Sequence, residues 1–306
     1  MSWFFLTLIA PFLYALTNHI DKVLLERYFK VSGVGSLMLY SSLLSALALP
    51  FIFWMDPHAF EIGILNIVVL IVVGTLNILV LLCYLLALRD DEASIVIVFY
   101  QLVPVFAYAL GYIILDESLT TLQLVAMAII ILGTTIISFE IDVDNKFTLR
   151  GQTIGLMLIA SFCWAFGSVI FKAVALEENV WRSLFWEHIV LTFIGVGIFI
   201  CMRKTRKQFL RTFKTNSTGI ISLNVLNEVI YMIGNVVFAF AYLLAPISLI
   251  LLTNSFQPIF VLAIGIMLTI FFPRITVEKI KAKHLWQKSL AIAITGAGTY
   301  LLLISS

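Results

Sequence analysis

Charge is what this sequence has least of. Only 12% of its 306 residues are Asp, Glu, Lys or Arg, while 62% are hydrophobic. A soluble domain carries about a quarter charged and half apolar residues, so this composition excludes one. No polar block of domain size interrupts the chain, which excludes an appended catalytic domain. A net charge of +2 is too small for the basic footprint of a nucleic-acid binder. The cysteines, Cys83, Cys163 and Cys201, all lie in apolar runs and offer neither a disulfide framework nor metal-ligand spacing. There is no HExxH, no Cys/His cluster and no GxxxxGK[ST], so neither a metal, nor another cofactor, nor nucleotide hydrolysis is expected. The first Lys is Lys22, so the amino-terminal apolar run lacks the basic region of a cleaved leader and reads as a retained first span.

Long apolar runs are what is there. They cover 3–22, 33–55, 63–88, 93–115, 121–138, 151–174, 181–202, 217–244, 247–271 and 286–304. Each approaches the ~20 residues a membrane-crossing helix needs. Lipid offers no partner to backbone amides, which leaves helices or a closed barrel. The runs lack the two-residue alternation of barrel strands. The sequence therefore predicts an all-α polytopic membrane protein with ten transmembrane helices.

The chain also repeats itself. Shifted by 150 positions, residues 8–22 (LIAPFLYALTNHIDK) lie over 158–172 (LIASFCWAFGSVIFK), with Tyr14 facing Trp164 and Lys22 facing Lys172. Asn77 precedes Tyr84-Leu-Leu-Ala as Asn235 precedes Tyr242-Leu-Leu-Ala, and Pro104-Val-Phe answers Pro258-Ile-Phe. The predicted units are 1–146 and 147–306. Five spans per unit is an odd number, so the two copies must run in opposite directions across the membrane. Such inverted repeats are typical of secondary transporters, whose site sits near the midplane. Every Lys and Arg except Lys172 and Arg182 falls in one alternate set of loops and helix ends. With ten spans, the positive-inside tendency then puts both termini outside.

The order of these features resembles the drug/metabolite transporter superfamily, specifically its EamA-type members. The resemblance rests on the aromatic-to-Lys pairs Tyr14/Lys22 and Trp164/Lys172. It rests also on Tyr84-Leu-Leu-Ala-Leu followed by Ala93-Ser94 and Pro104-Val-Phe, and on Glu117 followed by Leu119, Gln123 and Gly133. It runs over about 3–304 and implies a multi-pass carrier of small metabolites in a bacterial-type plasma membrane. Two features depart from the pattern. Pro273-Arg274 stands where the second unit should repeat the acid at Glu117. Family habit also places both termini in the cytoplasm, opposite to the charge count.

An ionisable group at a helix centre costs roughly 2.5–3.5 kcal/mol on insertion scales, so the intramembrane polar residues are the candidate site. On span eight, Asn224, Asn227, Glu228, Tyr231, Asn235, Phe238 and Tyr242 recur at helical steps along one stripe. Either the stripe lines a cavity or its groups form packing hydrogen bonds between helices. As a cavity wall, it offers Tyr231, Asn235 and Tyr242 to substrate and Glu228 to a cation or proton. Span one adds Tyr14, Asn18 and Asp21, with His19 as a structural hydrogen bonder and Lys22 snorkelling to the interface. Trp164, Ser168 and Lys172 share the matching face of span six. Asn77 and Tyr84 join by the repeat. Gln101 and Asn254 precede the intramembrane Pro104 and Pro258, as Gln257 also does, where proline frees a carbonyl that a cavity can use. Glu187 is a second proton-carrier candidate beside Glu228 and Asp21.

The basic run Arg203 to Lys214 suits the anionic cytoplasmic leaflet. Glycines at 151, 155, 195, 197, 296 and 298 allow close helix approach, within the protein or in a homodimer through spans five and ten. The expected function is secondary active transport of a small polar solute, an amine or amino-acid-like metabolite, by alternating access with proton coupling. Aromatics beside an acid suit an ammonium group. The alternative is a carrier or flippase for a nucleotide-linked or lipid-linked substrate, which would need Lys22, Lys172 or Arg182 in the cavity. No catalytic constellation supports a membrane enzyme.

Overall fold

The computed structural model describes residues 2–29, 34–90, 93–138, 151–215, 217–271 and 285–305. Among them there is no strand. The apolar helices are α1 (Trp3–Glu26), α2 (Val34–Met55), α3 (Ile64–Arg89), α4 (Val96–Leu115), α5 (Thr121–Ser138), α6 (Gly151–Glu177), α7 (Val180–Cys201), α8 (Thr218–Ala241), α9 (Ile247–Phe271) and α10 (Leu285–Ile304). Eight of these are long and apolar enough to cross a membrane. The apolar stretches of α5 and α10 are shorter, Thr121–Ile136 and Leu290–Ile304. Large apolar side chains such as Trp54, Ile64, Ile113, Phe193 and Phe271 face outward all around the bundle. A soluble protein does not expose apolar surface on this scale, whereas a lipid-facing one does. The chain is a multi-pass membrane protein.

Prolines shape the interior. Pro11 follows a one-residue break at Leu8 in α1. Short 3₁₀ turns at Ser45–Leu47, Phe99–Leu102 and Thr253–Phe256 precede Pro50, Pro104 and Pro258 in α2, α4 and α9. A proline ring clashes with the carbonyl four residues back and donates no amide hydrogen, so the helix tightens one turn upstream. Elsewhere the ends are capped conventionally. Asn179 accepts from the Trp181 amide (2.8 Å) to start α7, and Asp116 ends α4 with φ 53°.

Glycine decides the closest helix contacts. A Cβ on Gly133 would lie 2.5 Å from Thr295 Oγ1, and one on Gly298 would lie 2.9 Å from Ile129 and Ile130, so α5 and α10 meet backbone to backbone. A Cβ on Gly195 would meet Ser42 at 2.9 Å where α7 crosses α2. Among the described residues Gly151, Gly155, Gly197 and Gly296 meet no neighbour, and of the expected close-contact glycines Gly195 and Gly298 make close contacts there.

The helices pair in matching sets. α3 lies along α6, and α8 along α1. α4 packs on α6, and α9 on α1. α2 crosses α7, α4 meets α9, and α5 lies along α10. Exchanging α1–α5 for α6–α10 maps these pairings onto themselves. The match is not complete. α3 packs closely on α7, where Gly74 would place a Cβ 2.7 Å from Val190. Its counterpart α8 carries Met232 at the equivalent place and touches α2 over a much shorter stretch. α8 is also the least buried of the eight long helices, at 22% of its apolar window against 67% for α9. The helix Arg203–Thr215 presents its basic residues outward and buries Thr205 against Gly35 of α2.

Candidate functional site

The matched packing leaves a central cavity of about 1220 Å³, counted out to its open mouth. Its wall takes side chains from both halves. Tyr14, Asn18 and Asp21 come from α1, Asn77 and Tyr84 from α3, and Trp164 from α6. Glu187 comes from α7, Glu228, Tyr231, Asn235 and Tyr242 from α8, and Gln257 from α9. The one-sided stripe of α8 is the reason: helical steps of three and four aim its polar groups inward while Leu226, Val229 and Ile233 are exposed.

Hydrogen bonds within the cavity follow the sequence repeat. Tyr84 Oη donates to Asn18 Oδ1 (2.8 Å), and the matching Tyr242 Oη to Ser168 Oγ (3.2 Å). Asn77 and Asn235, also a matched pair, both donate to Glu187 Oε1, at 2.6 and 3.5 Å. Asn227 Nδ2 donates to Asp21 Oδ1 (2.8 Å), and Ser45 Oγ to Glu228 Oε1 (3.1 Å). Asp21 and Glu187 are buried, with 8% and 3% exposure. Aromatic rings wall the space between them. Tyr14 meets Tyr231 in a tilted contact at 5.5 Å and Trp164 edge-on at 6.2 Å, while Tyr100 meets Trp164 at 4.9 Å. No Lys, Arg or His lines the cavity among the described residues.

Three of the expected site residues lie off the wall. Lys172 forms an ion pair with Glu117 and donates to the Ala245 carbonyl (2.8 Å), while Glu117 Oε2 accepts from the Ile247 amide (2.7 Å). One carboxylate thus serves a lysine and the first amide of α9, and that geometry turns Lys172 away from the cavity. Gln101 donates to the Ser255 carbonyl (3.2 Å) and accepts from Thr134 Oγ1 (3.1 Å), so it satisfies groups at the crossing of α4, α5 and α9. Asn254 is buried beside it in the 3₁₀ turn of α9. Gln257 does reach the cavity. Of the remaining candidates, Lys22 bonds the Leu88 carbonyl (3.2 Å) and Glu26 (3.4 Å), and His19 bonds the Val261 carbonyl (3.0 Å). Pro273 and Arg274 lie outside the described residues.

Sequence reasoning missed Thr17 and the α2 serines Ser41, Ser42 and Ser45, all on the wall. Their signal was their spacing in an otherwise apolar run. Asn227, which the α8 stripe included without a role in the site, and Tyr100 also line it.

A separate charged cluster caps the amino-terminal end of α7. Arg182 pairs with Asp56 (3.1 Å) and Glu178 (3.6 Å) and donates to the Glu61 carbonyl (2.9 Å). The Gly63 amide, helped by Asn66, holds the Glu178 carboxyl below its usual range. The Glu61 carboxylate, accepting from His58 Nδ1, raises the His58 pKa. Arg182 is thereby held in the loop cluster rather than in the cavity. Among the described residues no group of His, Cys, Asp and Glu has metal-binding geometry.

Residues 1–139 match the sequence profile of the EamA-like transporter family, part of the drug/metabolite transporter superfamily. The chain carries an EamA-like unit. Members of that family are membrane transporters, not enzymes. A solved crystal structure superposes over 98% of this chain and 99% of its own length, with a TM-score of 0.62 at 11% identity, a likeness of fold alone. No curated protein matches the sequence.

Proposed function

We propose that this protein is a secondary active transporter that moves a small, amine-bearing polar metabolite across a bacterial-type plasma membrane by alternating access. In this reading α5 and α10 complete ten spans, and 1–146 and 147–306 are two inverted five-helix units around the central cavity. The exchange symmetry of the helix pairings supports that arrangement, as do the paired hydrogen bonds of Tyr84 and Tyr242. The tight α3–α7 seam and the loose α8–α2 seam support two alternative closures of one frame, as rocking around a fixed site requires.

One observation carries the function: Asp21, Glu187 and Glu228 open onto one cavity that, among the described residues, has no basic side chain on its wall. A cationic solute supplies the missing counter-charge, and the aromatic rings favour an ammonium group over their faces. Protons compete for the same carboxylates, which couples solute movement to a pH gradient. The phosphate-bearing alternative needs a cation in the cavity, and Lys172 and Arg182 are engaged elsewhere.

The test is flux in proteoliposomes under an imposed pH gradient, with labelled amines, amino acids and a nucleotide sugar. Gradient-dependent amine movement that is lost in Glu187→Gln and Asp21→Asn is the expected result. Movement of the nucleotide sugar alone, dependent on Lys172, would overturn the assignment.

A further inference from the structure

The three carboxylates are not one cluster. Glu187 stands at one pole, where the paired amides of Asn77 and Asn235 converge on it. Asp21 and Glu228 stand at the other, held by Asn227 and Ser45. Helix α8 gives the spacing, because it touches both poles. Asn227 and Glu228 lie eight and seven residues before Asn235, which at 1.5 Å per residue is a separation of ~10–12 Å. Tyr231 falls midway, one turn from each pole, with the Tyr14 ring tilted against it at 5.5 Å. The cavity is therefore acidic at both ends and aromatic between them.

A second feature marks the Asp21 pole as a binding position. Asn18 Nδ2 and Asn227 Oδ1 are without a hydrogen-bond partner among the described residues. Both residues line the cavity and are more than nine-tenths buried, with 4% and 6% exposure. A buried polar atom of this kind demands a partner. The acceptor on Asn227, beside the Asp21 carboxylate, is what an ammonium group with three donors uses.

Resting on the transport reading above, we propose that the substrate class is a dicationic aliphatic amine, one ammonium at Glu187 and the other at Asp21 and Glu228, with its apolar spacer along Tyr231 and Tyr14. Charge-assisted hydrogen bonds of about 2.8 Å at each end leave ~5–6 Å between the two nitrogens, the reach of about four carbons. A monoamine fills one pole and leaves the other carboxylate without its counter-charge. A zwitterionic amino acid brings a carboxylate to a wall that holds no basic group among the described residues.

The experiment is a calorimetric and thermal-shift titration of the detergent-purified protein. The ligands are α,ω-diamines of two to eight carbons and the monoamines of matching length. A diamine near the middle of the series binds roughly tenfold to a hundredfold more tightly than its monoamine, the contribution of one further charge-assisted hydrogen bond. Glu187→Gln removes that advantage yet keeps monoamine binding at the Asp21 pole, and the double change Asp21→Asn with Glu228→Gln removes it while keeping monoamine binding at Glu187. Asn227→Ala, which leaves all three acids in place, weakens the diamine in the same direction. Monoamines binding as tightly as diamines at every length would refute the two-pole assignment and leave the amine-transport reading standing. Binding of no amine at any length would refute both.

Discussion

Lys172 offers the sharpest test of how the bundle is held together. Its side chain is 7% exposed and its ammonium group bonds both Glu117 and the Ala245 carbonyl, while the Glu117 side chain is 17% exposed and also takes the Ile247 amide. Lys172→Met removes the cation and strands a largely buried carboxylate and a carbonyl. Breaking such a pair from one side destabilises by about 3–5 kcal/mol. An unfolding entropy of about 2.1 cal/mol/K per residue over 306 residues turns this into a midpoint drop of roughly 5–8 °C. The double change Lys172→Met with Glu117→Gln removes both charges and keeps an acceptor for Ile247, so its loss should fall short of the sum of the two singles. Thermal melts of the four proteins complete the cycle. Amine binding per folded molecule should survive, because Lys172 does not reach the cavity. A Lys172→Met protein that melts within about 0.5 kcal/mol of the parent, well below that range, but no longer binds solute would refute the reasoning and return the lysine to the site.

Asn77 lies 2.6 Å from Glu187 Oε1 and Asn235 3.5 Å, so Asn77→Ala should weaken amine binding more than Asn235→Ala, by about tenfold or more, read by calorimetry. Gly74→Leu drives a side chain into Val190, whose Cγ1 and Cβ would lie 2.7 and 2.8 Å from the new Cβ, and should cost about 1–3 kcal/mol in a melt. The same residue placed at the matching position, Met232→Leu, should cost under about 1.5 kcal/mol because it conserves volume. At the outer cluster, the Gly63 amide holds the Glu178 carboxyl below its usual value of 4.5. That contribution is present above pH 4.5 and is lost as pH falls through the folded value, so Glu178→Gln should flatten the acid limb of the stability profile. His58, raised by Glu61, works in the opposite sense: its contribution is present below its usual value of 6.5 and is lost as pH rises through the folded value.

Much of the site was legible because helices impose a period. Polar residues three and four apart on α8 had to share a face, and the offset pairing Asn77 with Asn235 and Tyr84 with Tyr242 tied two distant segments to one cavity. The same logic could not tell Gln257, which reaches the cavity, from Asn254, which does not. Asn254 lies in the 3₁₀ turn and Gln257 opens the helical segment after it, both before Pro258, and only the rotation of α9 against α1 and α4 separates them. The serines of α2 went unassigned for a related reason. Small hydroxyls are common in membrane helices, and their meaning depends on Glu228 arriving from another helix.

Sequence alone determined that this chain lives in lipid, that it is helical, that it repeats, and that certain acids and amides must turn inward. Composition and periodicity are local properties, and the bilayer leaves them few outcomes. Tertiary structure decided which inward groups meet. Lys172 belongs to an ion pair because Glu117 and the start of α9 converge on it. Glu187 draws amides from α3 and α8 at once. The three acids divide into two poles because α8 runs past both. Those partners lie far apart along the chain and are set by crossing and rotation of whole helices, which no window of sequence encodes.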